Sequence, residues 1–463
     1  MDKERRKKIQ ATKLVITEIF MLITVVLTVV ILTFIVMGYH LTDDGKLEQS
    51  GLVQVESIPT GATVTTDQEV LPAKTNTSKI LPEGEHTVLL EKEGYTSWAK
   101  SFKTHPGFLT KLAYPRLYKI SRTAETIEKL DEAPAFLSVS PNRNLLLYLV
   151  SGKLYSLNLE SDTPKPAELA LKKLFKTTVP ADFRVLTWSE NGERIIAAYT
   201  ESGTPHFAIV DLTHPDYSLD LSTTFDLEIS ELAFITPNGD NLFILEDGHL
   251  RTIVLALEQL SSILVDKVVS FNNFGAKAVV VQNIKEISLY DYNTKKTISL
   301  KQSVAENPRA LISEYLGRPT LVFAEDGQIT VYRGELPTEN VSKDNPLGEP
   351  VGKYTLDFGT PDVFRMVAKQ AVVLTSKEHH FTIFDLETYS TSSYTLESDL
   401  TFWPDDYTIG EVVSGELIFR DFDGENRQVL GHAATGFPAV ISKDNKYLYY
   451  LSKTYAITRE NIK

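Results

Sequence analysis

The chain has 463 residues, a formal net charge of −14 at pH 7 and no cysteine. The lack of cysteine excludes disulfides, thiol catalysis and thiolate metal sites. The acidic balance argues against a nucleic-acid partner and against adhesion to an anionic lipid surface, because binders of both kinds usually carry a basic face.

The first predicted element is the uncharged apolar run at residues 19–39. At about 1.5 Å per residue, a helix of this length spans roughly 31 Å, the thickness of a bilayer's hydrocarbon core. Basic residues dominate the preceding tail, residues 1–18, so the tail is expected in the cytoplasm and residues 40–463 outside the membrane. A cleaved signal peptide is the alternative, but its apolar region would be shorter and end in small residues. We therefore expect a single-pass, uncleaved signal anchor in a cell membrane.

Residues 40–50 are interpreted as a polar linker, and short strands separated by turns follow in residues 51–117. Residues 52–57 alternate apolar and polar side chains and end at the turn Ile58-Pro59-Thr60-Gly61. A second turn at residues 81–86 leads into another strand, residues 86–92, closed by Gly94. Short strands with Pro/Gly turns predict a small antiparallel β-sandwich.

This segment resembles the PEGA domain, whose sequence pattern it matches at two places. The matching residues are Ser57, Pro59, Gly61, Ala62 and Val64, then Leu81, Gly84, His86, Val88, Gly94 and Tyr95. Asp67-Gln68-Glu69 and Leu71-Pro72-Ala73 depart from the family pattern, which leaves the form of the central hairpin open. The resemblance implies a bacterial or archaeal surface module without catalytic residues, and we expect His86 to be a strand residue rather than a ligand.

Residues 118–463 contain a weakly repeated unit. Segments 137–145, 186–195, 232–242 and 439–448 each have a strand, a Ser or Thr, a turn of Pro, Asn, Asp or Gly, and a second strand. The hydroxyl and amide side chains are expected to bond the turn backbone, with Gly or Asn in the left-handed position. Units begin near Ala135, Arg184, Glu231, Val268, Arg309, Val363, Leu400 and Phe437.

Spacings of about 35–55 residues are typical of β-propeller blades. The predicted fold class is thus an all-β ectodomain, a small β-sandwich plus an about eight-bladed β-propeller with seven blades as the alternative, behind one transmembrane helix. The turn motifs resemble those of TolB-like and WD-repeat-like propellers. The last unit lacks a fourth strand, which residues 114–121 are predicted to supply. Residues 123–131 are interpreted as one or two helical turns, and residues 333–352 as a long loop.

The chain lacks a nucleophile elbow, a metal-spaced histidine pair and a phosphate-binding glycine loop, so we predict no catalytic, cofactor-binding or metal-binding residues. His379 and His380 are adjacent and would point to opposite faces of a strand. Residues 421–426 are mildly similar to a calcium loop, but Asp-Gly is also a common hairpin turn. We expect Trp188 and Trp403 to pack between sheets and Trp98 in the core of the first domain. Asn76 and Asn340 begin sequons.

A cysteine-free exported region of this size fits a bacterial envelope protein. The expected function is a membrane-anchored, extracytoplasmic binding or scaffold protein that presents a β-propeller to protein, peptide or cell-wall ligands. The expected partners are the lipid bilayer, through residues 19–39, and an envelope protein or cell-wall polymer, without nucleic acid or a cofactor. The alternative is a glycan- or peptide-processing enzyme with carboxylates converging from several blades. The short cytoplasmic tail argues against autonomous signalling.

Overall fold

The computed structural model describes residues 2–41, 45–283, 285–339, 347–398 and 400–463, with helix side chains described from residue 13 onward. The chain forms two compact units that divide between Ile120 and Ser121. The sequon at Asn340 and the middle of the predicted long loop, residues 340–346, lie outside the described residues.

Helix α1 runs from Asp2 to Val36, and its part from Lys13 to Val36 has the length and composition to cross a membrane, with a mean hydropathy of 3.1. The hydroxyls of Thr24, Thr28 and Thr33 each donate to the carbonyl four residues earlier, at 2.8 Å. This back-bonding satisfies the hydroxyls without a partner from outside the helix. The helix ends three residues before the predicted position, because Gly38 takes a φ of 79° and Tyr39 starts a strand.

The first unit continues as a two-sheet sandwich of eight strands. Its strands are β1 (Tyr39–Leu41), β2 (Leu47–Val55), β3 (Thr63–Thr66), β4 (Glu69–Val70), β5 (Thr77–Pro82), β6 (Gly84–Glu91), β7 (Trp98–Thr104) and β8 (Leu109–Leu112). One sheet contains β1, β2, β5 and β8, and the other has the order β4-β3-β6-β7. The predicted linker is therefore wrong in part, because residues 39–41 pair with residues 47–49 inside the first sheet.

The sandwich core lies between these two sheets. Its fully buried members include Val55, Val64, Leu90 and Trp98, so Trp98 packs where the sequence predicted. The central hairpin left open by the sequence is a tight two-residue turn joining β3 and β4, with Asp67 and Gln68 both at positive φ. Asp is one of the residue types that tolerates this backbone region, which lets the hairpin form without the glycine of the family pattern.

The second unit contains eight four-stranded antiparallel sheets among its described residues, and each of the first seven is a meander of consecutive strands. Sheet 1 is Phe136–Val139, Leu145–Val150, Lys153–Asn158 and Ala167–Leu169. Sheet 2 is Arg184–Trp188, Arg194–Glu201, Thr204–Asp211 and Leu219–Asp220. Sheet 3 is Ile229–Phe234, Asn241–Glu246, His249–Val254 and Gln259–Leu260. Sheet 4 is Val268–Phe274, Lys277–Gln282, Glu286–Asp291 and Lys296–Gln302.

The remaining sheets follow the same plan. Sheet 5 is Arg309–Tyr315, Arg318–Glu325, Gln328–Arg333 and Gly352–Thr355. Sheet 6 is Val363–Val367, Val372–Lys377, His380–Asp385 and Ser390–Thr395. Sheet 7 is Thr401–Phe402, Thr408–Val413, Glu416–Asp421 and Gln428–His432. Sheet 8 is Val440–Ile441, Tyr447–Leu451 and Ala456–Asn461, joined by β9 (Ala124–Lys129). A short helix, α2 (Leu221–Phe225), and two 3-10 turns, Pro215–Tyr217 and Leu255–Leu257, lie between strands.

Packing between successive sheets makes this unit a β-propeller. Buried apolar clusters join sheets 1 and 2, 2 and 3, 3 and 4, 4 and 5, and also sheets 8 and 1. In sheets 3 to 6 the first strands contact those of the neighbouring sheets, as Val268–Phe274 and Arg309–Tyr315 do. A sheet series that returns to its beginning forms a ring, and the first strands line its central channel.

The ring is closed by a strand from the start of the second unit, but not by the one predicted. Residues 114–120 belong to the first unit, where Ile58 bridges Arg116 and Tyr95 bridges Lys119. The closing strand is β9, so the predicted helical turns at residues 123–131 are wrong. Pairing with residues 456–461 and an ion pair from Arg459 Nε to Glu125 Oε2 at 2.6 Å hold this segment extended.

The predicted turn chemistry is present at the ends of the first strands. Ser140 Oγ accepts from the amide of Leu145 at 3.0 Å, and Ser442 Oγ accepts from the amide of Tyr447 at 3.0 Å. Gly192, Gly239 and Asn445 take the left-handed position in three of the four predicted turns. In the fourth turn this position is held by Arg143, with a φ of 58°.

Candidate functional site

A cavity of about 260 Å³ opens at the mouth of the propeller channel, on the side where first strands turn into second strands. Its walls come from the turn of sheet 1, from the end of the first strand of sheet 6 and the turn after it, and from the segment following the first strand of sheet 7. The charged and aromatic side chains of the lining are Arg143, Arg365, Lys369, Trp403, Asp405 and Asp406. The cavity thus brings together residues more than 200 positions apart in the sequence.

The two carboxylates of the cavity already have donors. Asp406 Oδ2 pairs with Lys369 Nζ at 2.9 Å and lies 3.7 Å from Arg143 Nη2. Asp405 Oδ1 accepts from the amides of Tyr407 at 2.9 Å and Thr408 at 2.8 Å, which fixes the turn. Both acids therefore organise the wall of the cavity.

Arg143 spans the gap between sheets. Its Nη1 donates to the carbonyl of Ile441 in sheet 8 at 3.2 Å, while its Nη2 faces Asp406 beside sheet 7. A non-glycine residue in the left-handed region is strained by about 1–2 kcal/mol. The strained backbone at Arg143 is therefore held by its surroundings, and its cation lies at the mouth of the channel. The equivalent position of the other predicted turns is occupied by glycine or asparagine.

Arg365 is the exceptional side chain of the cavity, because it makes no hydrogen bond or ion pair with any residue that the structure describes. It lies on the first strand of sheet 6 and is open to solvent, yet protein surrounds it closely. This desolvation lowers the pKa of the guanidinium from its ordinary value, but an arginine stays cationic at neutral pH. An unpaired cation thus faces the cavity.

The turn that follows Arg365 is strained over three consecutive residues. Ala368, Lys369 and Gln370 have φ angles of 50°, 52° and 72°, although none is glycine. Gln370 Oε1 accepts from Ser313 Oγ of sheet 5 at 2.9 Å, and Lys369 pairs with Asp406 on the other side. Strained backbone held by its surroundings is common at binding sites.

The channel wall carries further charge on the first strands of other sheets. Arg309 Nη1 donates to the carbonyl of Pro361 at 2.9 Å, and its guanidinium lies 5.7 Å from the ring centroid of Phe364. Burial raises the pKa of Glu231, and the amide of Phe271 and the charge of Arg309 offset only part of that rise. The channel wall therefore combines fixed cations with a carboxyl group that is easier to protonate than usual.

Most residues singled out from the sequence lie outside the cavity and have structural roles. His86 is a buried residue of β6, with Nδ1 2.5 Å from Asp67 Oδ2 and Nε2 2.8 Å from the carbonyl of Pro82. Burial alone would raise the pKa of Asp67, but hydrogen bonds from His86 and Thr87 outweigh it and leave the pKa lowered. The interpretation of His86 as a structural strand residue is consistent with these contacts.

His379 lies in the hairpin turn of sheet 6, and His380 begins the next strand. In residues 421–426, Asn426 Nδ2 donates to Asp421 Oδ2 at 2.8 Å and the amide of Gly424 donates to the carbonyl of Asp421 at 2.9 Å. These contacts are those of a hairpin turn. Trp188 packs against the core shared by sheets 1 and 2 and donates to Ser138 Oγ at 2.8 Å. Trp403 differs from the expectation, because it is half-buried and lines the cavity.

One group that the sequence did not predict, Glu201, His206 and Asp220, brings three potential metal-ligand atoms within 4.8 Å of one another. Asp220 Oδ2 accepts from Tyr199 at 2.5 Å and lies 2.9 Å from His206 Nδ1. Its Oδ1 accepts from the amide of Thr223 and caps α2. Asp220 is thus the centre of a hydrogen-bond network that joins α2 to sheet 2.

Comparison with known proteins identifies one domain in the first unit. Residues 50–115 match the family model of the PEGA domain, so the first unit carries a PEGA domain behind its helix. No curated protein is significantly similar to the chain in sequence.

Solved structures resemble this one only distantly. The C-terminal WD40 domain of Sif2 has 12% identity and a TM-score of 0.46, and the alignment covers 73% of this chain and 98% of that one. The propeller of Cps50 (Swd1) from Myceliophteria thermophila has 11% identity, a TM-score of 0.40, and coverages of 74% and 100%. PorZ, a bacterial surface component of the type-IX secretion system of Porphyromonas gingivalis, has 13% identity, a TM-score of 0.39, and coverages of 71% and 42%. At these scores the resemblance does not extend to function.

Proposed function

We propose that the protein is a non-catalytic binding or scaffold protein of the cell envelope, held in the membrane by α1 with its basic tail in the cytoplasm. Its propeller binds an anionic group, such as a carboxylate of a protein, peptide or cell-wall polymer, at the mouth of the channel. The observation that carries this proposal is Arg365, a cation in a 260 Å³ cavity without an acidic partner among the described residues.

The surroundings of Arg365 favour an anion over other ligands. Asp406 is already shared by Lys369 and Arg143, so the cavity has more positive than negative charge to offer. A carboxylate can take two parallel hydrogen bonds from one guanidinium, and the exposed side chain of Arg365 is accessible to such a ligand. Trp403 adds an aromatic surface on which a sugar or peptide group can stack.

The same cavity does not favour the enzymatic alternative. General acid–base catalysis needs a carboxyl group free to exchange a proton. Asp405 accepts two backbone amides and Asp406 faces two cations, so both carboxyl groups are already engaged within the protein. A binding role requires no proton exchange from these carboxyl groups and leaves Arg365 available to a ligand.

The test is cross-linking on intact cells that express the full chain, with partners compared among wild type, Arg365→Gln and a matched control. Lys296→Gln removes an exposed cation from the outermost strand of sheet 4, far along that sheet from its channel-lining strand. Loss of a charge-assisted hydrogen bond of about 1.5–3 kcal/mol corresponds to a fall in affinity of roughly 10- to 150-fold. We expect a cross-linked partner to be lost from Arg365→Gln and retained by Lys296→Gln. Equal yields from all three proteins would contradict the assignment of Arg365.

Anchorage is tested separately by adding protease to whole cells. We expect digestion of residues 121–463 before lysis, because the positive-inside rule places them outside. Protection in whole cells followed by digestion after lysis would reverse the proposed orientation.

A further inference from the structure

An exposed apolar row crosses the outer face of one PEGA sheet. Leu52 of β2 pairs in register with Ile80 of β5 on one side and with Leu109 of β8 on the other. Register partners on adjacent strands point to the same face, so the three side chains stand next to one another. They are 43%, 56% and 54% exposed, and Phe108, just before Leu109, is 66% exposed. A contiguous exposed apolar patch marks a surface that meets a partner or a membrane.

The row lies beside the end of the transmembrane helix. Ser50 of β2 donates to the carbonyl of Gly38 through its amide at 2.9 Å and its hydroxyl at 3.2 Å, and the amide of Gly107 donates to the carbonyl of Ser50 at 2.9 Å. A Cβ on Gly107 would lie 2.5 Å from the carbonyl oxygen of Val36. Backbone contacts thus join the helix end, β2 and the loop before β8.

These backbone contacts determine how deep Phe108 lies relative to the bilayer. The end of helix α1 is apolar and not covered by protein that the structure describes: Val36 is 76% exposed, and Met37, which follows it, is 52% exposed. In a bilayer these two residues lie at the edge of the hydrocarbon. Phe108 is the next residue after Gly107, and consecutive Cα atoms are about 3.8 Å apart. Phe108 therefore lies at the level of the boundary between headgroups and acyl chains, where Phe and Leu side chains of interfacial segments insert.

We propose that Phe108, Leu109, Leu52 and Ile80 contact the lipid interface, so that the PEGA domain is seated on the membrane rather than tethered above it. The proposal rests on the membrane anchorage stated under "Proposed function". The apolar row is covered by lipid at the boundary between headgroups and acyl chains. Lipid is the expected partner because the row is continuous with the lipid-facing end of α1 through Gly107 and Gly38. The apolar side chains gain burial that no described part of the protein gives them.

The test uses the full chain in lipid nanodiscs. Because the natural sequence has no cysteine, single variants Leu109→Cys and Leu52→Cys can be labelled specifically with an environment-sensitive nitrobenzoxadiazole dye. The matched control is Glu93→Cys, an exposed residue beyond the end of β6. The other end of β6, at Gly84, pairs with Thr104 near Gly107, so at about 3.3 Å per residue Glu93 lies roughly 25 Å away.

We expect the emission of the dye at positions 109 and 52 to shift to shorter wavelength and to be quenched by doxyl-labelled lipids. The dye at position 93 should show water-like emission without quenching. Identical water-like emission at all three positions, with the protein retained in the nanodisc, would overturn the inference and leave the anchorage intact. Failure of the chain to enter nanodiscs would overturn both. An emission shift in native membranes but not in nanodiscs would overturn the lipid assignment and indicate that a membrane protein covers the row instead.

Discussion

The PEGA domain and the propeller leave different groups exposed. Seven large apolar side chains are exposed within residues 45–120, against thirteen among the described residues of the far longer stretch 121–463. The propeller instead leaves cations at its channel mouth, with Arg365 lacking any acidic partner that the structure describes. This difference fits the two proposed roles, because a surface beside a bilayer tolerates apolar side chains, whereas a surface that selects a ligand in water needs charge and fixed geometry.

The two regions also differ in how their cores are closed. The sandwich core is built by residues within one stretch of about 65 positions, from Val53 to Leu117. The propeller core is a ring of separate layers between sheets, and its closing layer joins Leu130 and Tyr148 to Ile457. The stability of the first is local, and that of the second depends on contacts between the two ends of the unit.

The largest expected effect is that of Trp98→Ala in the PEGA domain. Trp98 is 1% exposed and its ring lies edge-on to Tyr114 at 6.0 Å. Truncating a buried tryptophan costs about 3–5 kcal/mol, which is comparable to the whole stability of a domain of this size. Limited proteolysis should therefore cut the variant within residues 45–120 and spare residues 121–463. The control Val70→Ala removes a side chain that is 61% exposed, and resistance like that of wild type is expected. Cleavage in both units would show that they do not fold independently.

The next effect tests the closure of the ring. Ile457 is fully buried between sheets 8 and 1, and Ile457→Ala should lower the free energy of unfolding by about 2–5 kcal/mol. Calorimetry of the full chain should show a lower melting temperature for the propeller transition and no change in the PEGA transition. Val429→Ala, at a position 47% exposed on sheet 7, is the matched control. An unchanged propeller transition in Ile457→Ala would mean that sheet 8 contributes little to the ring.

The contrast between local contacts and contacts between distant parts of the chain also explains which features the sequence predicts. The repeated turns are readable because Ser140, Ser189, Thr236 and Ser442 each bond backbone within five residues, so the signal is local. The start of each first strand is predicted within three residues. The closing strand β9 was missed because its glutamates and lysine favour a helix locally, and only pairing with a strand more than 300 positions away keeps it extended.

The cavity was missed because no local pattern marks it. Its walls come from three sheets, and Arg365 sits in an otherwise ordinary apolar strand. One signal was present in the sequence, since Arg143 occupies the turn position held by Gly192, Gly239 and Asn445 in the other repeats. A long charged residue at a position that favours glycine indicates a specific role. A comparison of the repeats position by position would have selected it.

A smaller effect concerns a buried ion pair of the propeller and its dependence on pH. Asp211 is 3% exposed and accepts from Arg194 Nε at 3.0 Å and from the amide of His214 at 2.7 Å. Burial alone would raise the pKa of Asp211, but the hydrogen bonds from His214, Thr213 and Arg194 outweigh it and leave the pKa lowered. At neutral pH, Asp211→Asn should lower the free energy of unfolding by about 1–3 kcal/mol.

The sign of the pH effect follows from the lowered pKa. The stabilisation by Asp211 is complete above its unfolded value of 3.8 and is lost as the pH falls through the folded value. The difference between wild type and Asp211→Asn should therefore shrink in denaturant titrations run from pH 7 towards pH 3. Asp216→Asn, an exposed residue of the neighbouring 3-10 turn, should match wild type throughout. A difference that does not change with pH would assign the effect to packing rather than to charge.

The smallest effect is that of Gly107→Ala at the junction between α1 and the sandwich. Gly107 has a φ of 72°, and the new Cβ would lie 2.5 Å from the carbonyl oxygen of Val36. Gly94 has a φ of 81° with open space around it, so Gly94→Ala carries the backbone strain without the contact. Each change should cost about 1–2 kcal/mol through strain. Only Gly107→Ala should also loosen the helix junction, because a backbone oxygen has to move, and a dye at position 109 should then report more water. If the two variants give the same emission from that dye, the contact between Gly107 and Val36 does not position the PEGA domain, and the apolar row beside it would owe its depth to something other than this junction.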